Sequence, residues 1–94
     1  MQLVEEILGK LENADNVTKN KLENMLVNQG SSVVEELVNQ LQIVHGIKRG
    51  VVAMSLIRIG EASVNCLKKA ANNNKYFAWV AKYLISEIDS TLAA

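Results

Sequence analysis

The sequence predicts an all-α chain made of three helix-turn-helix units, about six helices. Three observations carry this. Apolar residues recur at spacings of three and four through almost every stretch, the period of an α-helix with one buried face. Proline is absent, and two of the five glycines, Gly30 and Gly60, follow apolar-periodic stretches, where glycine takes the left-handed cap conformation without steric cost. These glycines lie thirty positions apart, and the segments cut after them match: Val4, Glu5, Glu6, Ile7, Leu8 and Leu11 fall opposite Val34, Glu35, Glu36, Leu37, Val38 and Leu41, with Val64, Cys66, Leu67, Ala70 and Ala71 behind them.

The first helix comes from "MQLVEEILGKL" and stops at the polar turn "ENADN", whose asparagine and aspartate side chains compete for the backbone. "VTKNKLENMLVNQ" resumes as the second, up to Gly30. "SSVVEE" opens the third: Ser31 or Ser32 can accept a backbone N–H while Glu35 reaches back, as in a capping box. After "QIVHG" comes the fourth helix, "IKRGVVAMSLIRIG", whose apolar residues cover well over half of its circumference. Such a helix is expected to be covered on several sides, with Gly50 and Ala53 letting neighbours approach closely. Its polar remainder, Lys48, Ser55 and Arg58 with Val51 between them, forms a narrow strip expected on the open surface. The fifth helix spans Val64 to Ala71, "NNNK" makes the third turn, and the sixth carries Phe77, Val80, Ala81, Leu84 and Ile88 on its inward side. The turns near 13–16, 43–46 and 72–75 break any single heptad register, which argues against a coiled coil.

Ninety-four residues make one domain, 1–94, with units at about 1–30, 31–60 and 61–90. Half the residues are apolar and a fifth charged, a globular mixture. Ten basic residues balance ten acidic ones, so no global field steers the chain toward nucleic acid. Locally, Lys19, Lys21, Lys48, Arg49, Arg58, Lys75 and Lys82 against Glu23, Glu87 and Asp89 make the second helices of the units mildly basic, while Glu5, Glu6, Glu12, Asp15, Glu35, Glu36 and Glu61 outnumber Lys10, Lys68 and Lys69 in the remainder. No apolar run approaches the roughly 18 residues of a membrane span, and the start lacks the basic region of a signal peptide, so a cytoplasmic location is expected.

Catalysis has little to use. His45 is the only histidine and sits in a turn; Cys66, the only cysteine, falls in the apolar pattern of the fifth helix and reads as a small buried hydrophobe. There is no phosphate-cradling loop, nucleophile elbow or metal-spaced cluster, so no cofactor and no enzyme activity are expected.

A thirty-residue unit reading "VVEELVNQL", a turn, then "IKRGVVAMSLIRIG" resembles the HEAT repeat, in particular the HEAT-like type of phycobilisome lyase subunits. Ile47-Lys48-Arg49, Leu56 and Ile59-Gly60 match its second helix, and Asp15-Asn16-Val17-Thr18-Lys19 matches the start in the first unit. The resemblance implies a short right-handed α-solenoid, a scaffold that binds a partner protein through the surface of its second helices. The units lack the common first-helix proline, and His45-Gly46 replaces the usual turn aspartate.

Tyr76, Phe77, Trp79 and Tyr83, all the aromatics of the chain, lie within eight positions. Partly exposed Trp and Tyr commonly anchor interfaces, although the same rings could cover an open end of the stack or pack against the preceding helix. The candidate partner-binding residues are Tyr76, Trp79, Lys82 and Tyr83 with Lys48 and Arg58. Self-association through the ends, Leu3, Val4, Met25 and Val27 at one and Trp79 and Tyr83 at the other, is a further expectation. Alternatives are weak, non-sequence-specific nucleic-acid binding through the basic strip, and a small subunit of a bilin-lyase-like complex, which the resemblance suggests.

Overall fold

Helix α1 (Gln2–Lys10) buries Val4, Ile7 and Leu8, the period-three-and-four face of its sequence. Helix α2 (Asn16–Gln29) starts at Asp15, whose carboxylate accepts the Thr18 N–H, and buries Leu22 and Leu26. It passes through a 3-10 turn, Gly30–Val33, into α3 (Val34–Leu41), and α4 (Gly46–Ile59) passes through the corresponding turn, Gly60–Ser63, into α5 (Val64–Asn73). Helix α6 (Ala78–Ala93) follows a short turn. This is a computed structural model, and it describes residues 2–93.

All described elements are helical. The expectation of about six separate helices is corrected to four helical stretches, because the chain re-enters helix directly after Gly30 and Gly60 through 3-10 turns. Both glycines have positive φ, 59° and 86°, with ψ near −139° and −137°. This combination is essentially closed to residues with a Cβ, so it turns the chain where an L-residue would continue the helix. Each also donates its N–H to the last turn before it, Gly30 to the Val27 carbonyl and Gly60 to the Leu56 carbonyl. The same device thus stands twice, thirty residues apart.

The expected capping box at "SSVVEE" is not formed. Ser31 and Ser32 are inside the 3-10 turn, where the Ser32 hydroxyl donates to the Gln29 carbonyl at 2.8 Å, and α3 begins without a side-chain cap.

Packing pairs each helix with the next across a polar turn, α1 with α2, α3 with α4 and α5 with α6; between pairs α2 lies against α4, α4 against α6, and α3 against α5. One continuous core results, running from Val4 and Leu11 through Leu26, Leu37 and Leu56 to Leu67, Leu84 and Ile88. Its center is Leu56 of α4, a helix that touches α2, α3 and α6. Two buried hydroxyls belong to this core: Ser55 donates to the Val51 carbonyl at 2.7 Å, and Ser63 reaches back across the 3-10 turn to the Leu56 carbonyl at 2.8 Å.

The stretch Gly46–Asn73 is long and apolar enough, by length and composition, to cross a membrane, which the sequence reading did not anticipate. It is interrupted at Gly60. Of its two parts the longer, α4, has 14 residues and spans about 21 Å, short of the roughly 30 Å hydrocarbon thickness.

Candidate interaction surface

Large apolar side chains are exposed on one layer of the molecule. Among the described residues these are Val17, Met25, Ile43, Ile47, Met54, Tyr76, Trp79 and Tyr83, and each belongs to α2, α4, α6 or the turn that leads into α4 or α6. None lies on α1, α3 or α5. Scattered exposed hydrophobes are ordinary; here they are segregated onto one layer.

The aromatic group owes its exposure to the register of α6. Phe77, Val80, Ala81, Leu84 and Ile88 face the core, as expected, so the rings between them are directed to solvent: Tyr76 is 87% exposed, Trp79 70% and Tyr83 59%. The alternative reading, in which these rings seal an open end, is not what the burial pattern describes. Asn74 shapes the preceding turn. Its side-chain oxygen accepts the Tyr76 N–H at 3.1 Å, and its amide donates to the Gln42 side chain at 3.2 Å, tying this turn to the one before α4. Between the two turns lies a recess of about 270 Å³, in which Arg49 and His45 of α4 and its approach meet the rings of Tyr76 and Trp79. Lys82 is exposed on the other flank of α6, at an open groove of about 750 Å³ between α5 and α6 that also carries Lys68, Asp89 and Ser90.

The basic strip is different from expectation. Ser55 and Val51, placed between Lys48 and Arg58 in the sequence reading, are buried, because α2, α3 and α6 enclose that side of α4. Lys48 and Arg58 themselves are held by carboxylates: Lys48 Nζ lies 3.2 Å from Glu12 Oε1, and Arg58 Nη1 lies 2.8 Å from Glu23 Oε2. Both pairs are partly solvated and contribute at most about 1 kcal/mol each, but they remove two positive charges from the free field of the surface.

The outward side of α4 was legible in the spacing and was misassigned. Ile47, Gly50 and Met54 stand at i, i+3 and i+7, opposite Val52 and Leu56, and all three are exposed. Gly50 does not admit a neighbouring helix of this chain: a Cβ built there meets nothing within 4 Å. Helix α4 is therefore apolar on its enclosed side, where it packs, and apolar again on its open side, where nothing in the described chain covers it. The acidic layer behind is polar by comparison. Of the residues expected at the first end, Val4 is buried and Met25 exposed.

Chemically reactive groups are sparse. Among the described residues no three His, Cys, Asp or Glu side chains gather as metal ligands. His45 is exposed at the start of α4, and Cys66 is half-buried, more open than expected, beside Glu35 and Lys69 in a recess between α3 and α5. Compared with models of protein families, with curated proteins and with solved structures, the chain matches none.

Proposed function

We propose that this chain is a three-unit, HEAT-like right-handed α-solenoid that works in the cytoplasm as a non-catalytic interaction module, binding a partner protein across α2, α4 and α6. The observation that carries this reading is the segregation of every exposed large hydrophobe among the described residues to that layer. Trp79, Tyr83 and Tyr76 are its anchors, since large, stiff, amphipathic rings bury much area at little entropic cost. The repeated glycine turns thirty residues apart and the side-by-side packing of α2, α4 and α6 support the solenoid reading. Nucleic acid is the weaker partner: Lys48 and Arg58, on which that reading depends, are engaged by Glu12 and Glu23.

The test is affinity capture from nuclease-treated lysate with the native chain and with a Trp79→Ala, Tyr83→Ala double variant, the two shown to be equally folded by circular dichroism. A protein held by the native chain and released by the variant supports the surface. Equal capture by both overturns it.

A further inference from the structure

Two recesses lie between successive polar turns, and they correspond in the thirty-residue register. Leu11, Glu12 and Val44 line the first, and Leu41, Gln42 and Asn74, each thirty positions on, line the second. The first holds its own ion pair, because Glu12 lies 3.2 Å from Lys48 Nζ in the same recess. The second does not. Gln42 stands there in the place of Glu12, no Asp or Glu lines the recess, and its cation is Arg49. That guanidinium is half-buried and has neither an ion pair nor a hydrogen bond among the described residues.

The amides around Arg49 are already engaged. Asn74 accepts the Tyr76 N–H and donates to the Gln42 side-chain oxygen, while Gln42 donates to the Val38 carbonyl. The lining groups without a partner are Arg49 and Trp79, with His45 and the Tyr76 hydroxyl beside them. A guanidinium and an indole N–H can only donate, so the recess has donors in excess of acceptors. From this imbalance we infer that the recess binds a small planar monoanion, an aromatic carboxylate. A carboxylate takes two parallel N–H···O bonds from the guanidinium fork. One unpaired guanidinium balances one negative charge, which favours a carboxylate over a phosphate dianion. The rings of Tyr76 and Trp79, which wall the recess, offer flat apolar surface to the body of the ligand. A volume of about 270 Å³ falls just short of the roughly 300 Å³ at which drug-sized pockets begin, so that body is a small ring system. The inference goes beyond the partner-protein reading and does not depend on it, although Tyr76 and Trp79 belong to both.

Titration of the nitrogen-15-labelled chain with benzoate and 2-naphthoate, with their neutral amides and with inorganic phosphate, followed by NMR, tests this. The two carboxylates are expected to give saturable shifts at Gln42, His45, Asn74 and the Trp79 indole, with the amides and phosphate at least about tenfold weaker. Arg49→Met keeps an unbranched stem and removes the fork, and is expected to weaken the carboxylates at least about tenfold. Gln42→Glu supplies the carboxylate that the first recess has and keeps an acceptor for Asn74; it is expected to abolish binding. Circular dichroism checks both folds, and each variant tests the inference without the other. Equal binding of acids and amides overturns the anionic ligand, and tighter binding of phosphate overturns the carboxylate. Unchanged affinity in Arg49→Met or Gln42→Glu overturns the role of the guanidinium. Shifts confined to other parts of the chain, or no saturable shift at millimolar concentration, overturn the site. None of these outcomes decides whether a partner protein is captured through Trp79 and Tyr83, which is the separate test of the interaction surface.

Discussion

Two serines in the same core make opposite demands. The Ser63 hydroxyl donates across the 3-10 turn to the Leu56 carbonyl, which also accepts the Gly60 N–H, so it ties the turn back onto α4 by a bond the helix ladder does not supply. Ser63→Ala is expected to cost about 1–2 kcal/mol, read from urea unfolding followed by circular dichroism. Ser55 donates to the Val51 carbonyl, four residues back and already within the α4 ladder, so its loss is balanced by the better helix propensity of alanine. Ser55→Ala is expected to change stability by less than about 0.5 kcal/mol. Equal losses would refute the distinction. Asp15 adds a pH dependence. The Thr18 N–H donates to its carboxylate at 2.8 Å and holds the carboxyl below its ordinary 3.8. A lowered carboxyl stabilises the fold above the unfolded value and loses that contribution as pH falls through the folded one. Asp15→Asn keeps a cap that does not titrate. The melting difference between native and variant is therefore expected to be flat near neutrality and to shift against the native chain below pH 3.8; a pH-independent difference would remove Asp15 as the titrating group.

At the scale of helices, the glycines divide by conformation. Gly60, with φ 86°, turns the chain between α4 and α5, and Gly60→Ala is expected to lower stability by about 1–3 kcal/mol. Gly50 is helical and open, so Gly50→Ala is expected to raise stability by about 0.5–1 kcal/mol. Thermal melts of the two variants should move in opposite directions. The role of Gly30 and Gly60 was legible in sequence because a glycine after an apolar-periodic run has few other uses. The role of Gly50 was not. An amphipathic pattern tells which side of a helix is buried only when the other side is polar, and α4 offers Ile47 and Met54 opposite Val52 and Leu56. The same ambiguity put Ser55 on the surface strip. On α6, by contrast, Phe77, Val80, Ala81, Leu84 and Ile88 define one side unambiguously, and the exposure of Trp79 and Tyr83 followed from them. Long-range pairs such as Lys48 with Glu12, thirty-six residues apart, depend on how turns bring helices together, and no local pattern encodes them.

Across the whole molecule, the continuous core predicts that the three pairs melt together. Leu56 is fully buried on α4, the helix packed against α2, α3 and α6, and Leu56→Ala is expected to remove about 2–5 kcal/mol, a large share of the roughly 5–15 kcal/mol of a small domain. Calorimetry and circular dichroism should show one coincident transition displaced to lower temperature. Two separated transitions would mean that the pairs fold as independent units. Trp79→Ala in the same experiment is expected to leave the transition within about 0.5 kcal/mol of native, since the ring contributes to the surface and not to the core.

The one tryptophan of the chain stands in water on the layer where the hydrophobes gather. Its indole already has the polar surroundings it would meet in a denatured chain, so intrinsic emission changes little on unfolding. Burial of that ring by a bound molecule would instead move the emission to shorter wavelength. The same ring is thus expected to serve as an optical reporter that responds more to a molecule covering it than to loss of structure.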